Sequence, residues 1–220
     1  MIRVMVVDDE ALIRGFQYIL DTADHIEVVA AVSGSRAVSA VRELSLDVVL
    51  LDIRMPDVDG LTILTELRRL PDPPVVAMLT TFDMDECVAA APRSGAAGFL
   101  LKDTGTEQLP HLVSTLADGG VVLASRVTRA VVDGYLDGGP EQAAIRCAAR
   151  LTERERSVLV LIAEGLSNTD IGARMNLSTG TVKDHVSAVL SKLEVGNRVQ
   201  AALLAQRVGL LRPSRDGEDG

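Results

Sequence analysis

The sequence has no tryptophan, only five aromatic residues of the Phe and Tyr types, and two cysteines among 220 residues. With aromatics at 2%, a core must be built from Val, Leu, Ile and Ala, and a hydrophobic fraction of 47% supplies them. Cys87 and Cys147 have no Cys or His neighbours at metal-ligand spacing. That excludes a zinc or disulfide scaffold and predicts free thiols in a reducing compartment. No apolar run reaches about 18 residues, and no basic segment precedes an apolar one at the N-terminus. The expectation is a soluble, cytoplasmic chain with no membrane partner. The formal net charge of −9 is unevenly spread. Residues 1–118 carry nine Lys/Arg against nineteen Asp/Glu, whereas residues 151–212 carry eight against six. An acidic front joined to a mildly basic back hints at two kinds of partner.

Five β-branched or apolar runs recur along the front half: Ile2–Val7, Val28–Val32, Val48–Leu51, Val75–Leu79 and Ala97–Leu101. Helix-period segments separate them, with faces such as Leu12, Phe16, Ile19 and Leu20, then Val38, Val41 and Leu44, then Leu61, Leu64 and Leu67. Strands alternating with helices predict an α/β fold, a doubly wound parallel sheet of five strands. In such sheets function gathers beyond the carboxyl ends of the strands. The stretch "DGGPEQ" at 137–142 breaks the pattern, and 121–136 has the composition of a short helix. The expected organisation is a domain over 1–119, a linker with partial helix over 120–150, an all-α domain over 151–211 and a disordered tail over 212–220. Capping residues Thr152, Ser167, Ser178 and Asn197 place four helices in the all-α part, at roughly 153–165, 168–175, 179–193 and 198–208.

Asp8 and Asp9 follow the first strand, Asp52 ends the third in "LLDIRMPDVDG", Thr80 ends the fourth and Lys102 ends the fifth. One such residue is commonly only a helix cap or turn former. Five at the ends of successive strands converge on one sheet edge. Three carboxylates there repel and cannot all stay ionised without a cation. Mg²⁺, which takes carboxylate and phosphate oxygens, is the expected neutraliser. Metal, hydroxyl and ammonium together make a phosphoryl-binding site in which a carboxylate can be the nucleophile.

Residues 1–119 resemble the receiver domain of two-component response regulators, through "VVDDE" at 6–10, "LLDIRMPDVDG" at 50–60, "LTT" at 79–81 and "GFLLK" at 98–102. The resemblance implies that Asp52 accepts a phosphoryl group from a sensor histidine kinase. It implies that Asp9 binds Mg²⁺ directly, that Asp8 does so through water, and that Arg54 contributes its backbone carbonyl. Thr80 and Lys102 bind the phosphoryl oxygens, and Phe99 matches the switch aromatic. Asp57 and Asp59 read as turn and cap residues. Lys102-Asp103 replaces the common Lys-Pro, as in the NarL/FixJ branch. Pro92 falls inside an expected helix over 85–95, which it should shorten or kink.

Residues 151–211, with "LTERE", "EGLSNTDIG" and "TVKDHV" in order, resemble the LuxR-type helix-turn-helix of the same NarL/FixJ family. In 179–193, Val182, Val186, Val189, Leu190 and Leu193 form one face for packing. Lys183, Asp184 and Ser187 lie on another, free to enter a major groove. Thr181 and Lys192 are expected at phosphates. Val199, Ala202, Leu203 and Gln206 are the expected dimer contact. The implied function is a phosphorylation-regulated transcriptional regulator with no catalytic residues of its own. Its implied partners are the kinase, double-stranded DNA with two related half-sites, a second copy of the chain on activation or on DNA, and RNA polymerase. The alternatives are a phosphorylation-independent receiver-containing regulator and a Mg²⁺-dependent aspartyl-phosphate phosphohydrolase. The second would want an Asp where Arg54 stands.

Overall fold

The structure is a computed structural model that describes residues 1–8, 13–81, 95–123 and 141–210. Asp9, Cys87 and the segment carrying Pro92 lie outside the described residues, as does 124–140.

The front half alternates β1 (Ile2–Val7), α1 (Ile13–Leu20), β2 (Ile26–Val32), α2 (Gly34–Glu43), β3 (Val48–Asp52), α3 (Gly60–Leu67), β4 (Val75–Thr80), β5 (Gly98–Leu101), α4 (Leu109–Ala117) and β6 (Val122–Leu123). All strand pairs are parallel, in the order β2-β1-β3-β4-β5-β6. Reversal of strand order beside β1 makes the switch point at which such sheets hold ligands. Every residue of β3 is buried, which is why its sequence is apolar up to its last position. Alternate residues of the strands feed two cores. Met5, Val7, Val49, Leu51, Met78 and Phe99 face α2 and α3. Val4, Val6, Val48, Leu50, Leu79 and Leu100 face α1 and α4.

The sheet has six strands rather than the expected five. Val122–Leu123 pairs with Gly98 and Phe99 of β5, in a stretch whose composition suggested helix. Two residues are too few to carry a period, and only the open edge of β5 makes them a strand.

The back half holds α5 (Glu141–Ala149), α6 (Glu153–Ala163), α7 (Asn168–Met175), α8 (Thr179–Leu193) and α9 (Arg198–Arg207). The last four agree with their caps. Thr152 and Ser167 each form a reciprocal capping box, and Ser178 and Asn197 accept from the third amide of their helices. α5 lies in the expected linker, yet Ala148 is buried in the same core as Val158, Ile162, Val182 and Leu204. α9 is shared between halves. Its Ala201, Leu204 and Ala205 enter that helical core, while Val199 and Leu203 enter the α2/α3 side of the sheet domain.

Candidate functional site

The carboxyl ends of β1, β3, β4 and β5 lie side by side, so the residues at their exits meet. Asp8 is fully buried, and Asp52 and Thr80 are nearly so. The Lys102 ammonium stands 2.9 Å from Asp8 Oδ2 and 2.8 Å from Asp52 Oδ2. Burial alone would lower the Lys102 pKa. Hydrogen bonding and charge attraction from Asp52 and Asp8 outweigh it, and the net displacement is upward. Lys102 is therefore a fixed cation at neutral pH, and its own amide is anchored by donation to Thr80 O at 2.9 Å.

The other oxygen of Asp52, Oδ1, accepts from the Arg54 amide at 3.2 Å. Gly60 closes the loop after β3 by donating to Ile53 O at 2.9 Å. A Cβ at that position would collide with the Asp52 carbonyl, so this close approach requires glycine. Asp59 caps α3 by accepting from Thr62 N at 3.3 Å. Asp57 ties the loop to α2 by accepting from Ser35 N at 2.8 Å, and chiefly this bond holds its carboxyl below the usual range. Both acids serve the turn and the helix starts, as the sequence reading had them.

Thr80 Oγ1 donates to Thr81 O at 3.1 Å. Phe99 is fully buried in the α2/α3 core. Two carboxylates against one ammonium leave one surplus negative charge in a site whose remaining donors are oxygens. That set fits a hard divalent cation and does not fit a soft one. Among the described residues no cluster of three acidic, His or Cys side chains forms. Asp9, the third expected carboxylate, is outside them.

In the back half the exposed face of α8 carries Thr181, Lys183, Asp184 and Ser187. Val182, Val189 and Leu193 are buried on the opposite face. Lys192 has a different partner from the phosphate expected for it. Its ammonium lies 2.7 Å from both carboxylate oxygens of Glu155. This bond, with the amide of Thr152, takes the Glu155 pKa down to about 2. An ammonium neutralised inside its own domain is a poor phosphate ligand. Val199 and Leu203, expected at a dimer contact, are buried against the sheet domain, whereas Gln206 is exposed and Ala202 is half-buried.

The sequence alone did not reveal the polar seam between the halves. Asp118, at the end of α4, accepts from Thr169 N at 3.0 Å, and its backbone carbonyl accepts from Asn168 N at 3.1 Å. Arg68 donates to Gly196 O at 2.8 Å. Both are surface residues by composition, and no short-range pattern marks a partner dozens of positions away.

Residues 4–114 match the family described as "Response regulator receiver domain", and residues 149–205 match "Bacterial regulatory proteins, luxR family". The transcriptional regulatory protein LnrK of Bacillus subtilis is 36% identical over 96% of this chain and 99% of its own length. The nitrate/nitrite response regulator protein NarP of Escherichia coli is 38% identical over 92% of this chain and 93% of its own. The crystal structure of ChrA, a response regulator of a heme-sensing two-component system, is similar at 36% identity with a TM-score of 0.52. It covers 94% of this chain and 96% of its own.

Proposed function

The chain belongs to the NarL/FixJ family of two-component response regulators, a receiver domain joined to a LuxR-type DNA-binding domain, and from that premise we propose that phosphorylation of Asp52 controls its binding to DNA. The family is one of transcription regulators rather than classical enzymes. The observation that carries the proposal is the pairing of one ammonium, Lys102, with two buried carboxylates, Asp8 and Asp52, beside the Thr80 hydroxyl.

The chemistry follows from those atoms. An Asp52 carboxylate oxygen attacks the phosphorus of a phosphohistidine on a sensor kinase. The phosphorus–nitrogen bond breaks, its electron pair leaves with the imidazole, and an acyl phosphate remains on Asp52. A bound Mg²⁺ would supply charge neutralisation for the phosphoryl oxygens, held by Asp8, Asp9, Asp52 and the Arg54 carbonyl. Lys102, already 2.8 Å from Asp52, transfers its ion pair to a phosphoryl oxygen. The Thr80 hydroxyl exchanges the Thr81 carbonyl for another such oxygen. Phe99, fully buried on β5 two residues before the register partner of Thr80, is the apolar element that would follow the switch.

The output surface is the exposed face of α8. Lys183, Asp184 and Ser187 are the candidates for base edges, with Thr181 at the backbone. A second copy of the chain on two related half-sites, RNA polymerase as a further partner and a cytoplasmic location complete the reading. The first test is intact mass after treatment with Mg²⁺ and a small phosphodonor such as acetyl phosphate. Wild type gains one phosphoryl group and Asp52→Asn gains none. Stoichiometric labelling of Asp52→Asn would remove the assignment.

A further inference from the structure

The turn between α4 and β6 meets the helix-turn-helix at one polar point. Asp118 offers its backbone carbonyl to Asn168 N and its Oδ2 to Thr169 N, at 3.1 and 3.0 Å. These are the first two amides of α7. The third, Asp170 N, is already held by Ser167 Oγ at 3.2 Å. Asp118 thus fills the two donors that the helix's own cap leaves open. Gly119 follows with φ +73°, and a Cβ there would come within 2.6 Å of Asn168 Nδ2, so the approach is close enough to need glycine. Cations converge on the same spot. Arg198 of α9 and Lys183 of α8 lie near enough to feel the Asp118 charge, and among the described residues neither forms an ion pair with it. Arg198 is 7% exposed, donates to Asn168 Oδ1 at 2.8 Å, and has a buried Nε with no hydrogen-bond partner.

Open amides at a helix N-terminus with basic side chains beside them form an anion seat. In a helix-turn-helix the first helix crosses the DNA backbone, and amides of this kind bind phosphates. We propose that Asp118 is a built-in phosphate mimic. Its carboxylate sits at the N-terminus of α7 where a backbone phosphate of duplex DNA sits in the bound state, so receiver and DNA compete for one anion site. The inference rests on the DNA-binding reading above and adds to it the group through which the receiver withholds the domain.

The test uses full-length wild type, Asp118→Asn and Gly119→Ala, each unphosphorylated, with a labelled random-sequence duplex at low salt. Asp118→Asn keeps the shape and the backbone carbonyl but loses the charge. Its affinity should rise roughly tenfold, the scale of one charge-assisted hydrogen bond. Gly119→Ala, which forces the turn away sterically, should move affinity the same way. Amide hydrogen exchange at Asn168 and Thr169 gives the second readout. Both amides are protected in free wild type, less so at Thr169 in Asp118→Asn, and protected again in that variant when the duplex is added. Equal DNA affinity of wild type and Asp118→Asn, or no protection of Thr169 by DNA, would overturn the mimic while leaving the DNA-binding reading intact. Failure of every variant to bind DNA, with or without phosphodonor, would overturn that reading and the mimic with it.

Discussion

Lys102 shows how one side chain can satisfy two buried carboxylates at once. Asp8 and Asp52 are buried carboxylates whose mutual repulsion only a cation relieves, and in the structure that cation is Lys102. Lys102→Ala would leave both charges uncompensated, a loss that costs about 3–5 kcal/mol where one partner of a buried pair is removed. The variant should melt well below wild type, and millimolar Mg²⁺ should restore part of the difference by replacing the missing charge. Thermal unfolding with and without Mg²⁺ checks this. A melting temperature insensitive to both the substitution and the metal would mean that the carboxylates are relieved in another way. Each of these residue types was legible in the sequence because each ends a strand. That Lys102 would bridge Asp8 and Asp52 rather than pair with one was not, since it depends on the adjacency of β1, β3, β4 and β5.

Elements in the back half are set by caps that can be read directly, and then locked by a pair that cannot. Thr152 and Glu155 form the box that starts α6. The same Glu155 carboxylate receives Lys192 from near the end of α8, thirty-seven positions away. The bonds from Lys192 and Thr152 favour the ionised form, and the folded pKa is about 2 against an ordinary value of 4.5. A depressed carboxylate contributes stability that is present above pH 4.5 and is lost as pH falls toward 2. Glu155→Gln should therefore destabilise the full-length chain at neutral pH, and its deficit should shrink steadily below pH 4.5. Denaturant unfolding followed across that range measures the difference. A deficit constant with pH would assign the role of Glu155 to packing. The same pair explains why Lys192, by position a good phosphate ligand, is occupied.

At the scale of the whole molecule, α9 is the element shared by the two cores. One face belongs to the helical core through Ala201, Leu204 and Ala205, and the other meets the receiver through Val199 and Leu203. Half of the face expected to meet a second copy, Val199 and Leu203, is thus covered by the chain itself, so pairing through these two residues requires the receiver to leave them. Leu203 is 3% exposed. Leu203→Gln should release the receiver contact, since a buried amide without a partner costs about 1–3 kcal/mol and the lost apolar contact adds to it. The expected outcome is a larger radius of gyration in solution scattering with helical content unchanged. An unchanged radius would mean that Val199, Asp118 and Arg68 hold the two halves together without Leu203.

The sequence by itself determined the kind of each half. Apolar strand runs and period-3.6 patterns, the acids, threonine and lysine at the strand exits and the serine, threonine and asparagine caps are local, and local chemistry is enough to specify strands, helices and the residue types gathered at the sheet edge. Only the tertiary structure decided what depends on distance in space. It joined Val122–Leu123 to the edge of β5, drew α5 out of the linker onto the helical core, closed Lys102 on two carboxylates and Lys192 on Glu155, and set Asp118 against α7. Each of these is a partner choice between groups far apart along the chain. A side chain's type limits what it can bind, but which neighbour it meets is settled by the packing of the surfaces that carry it.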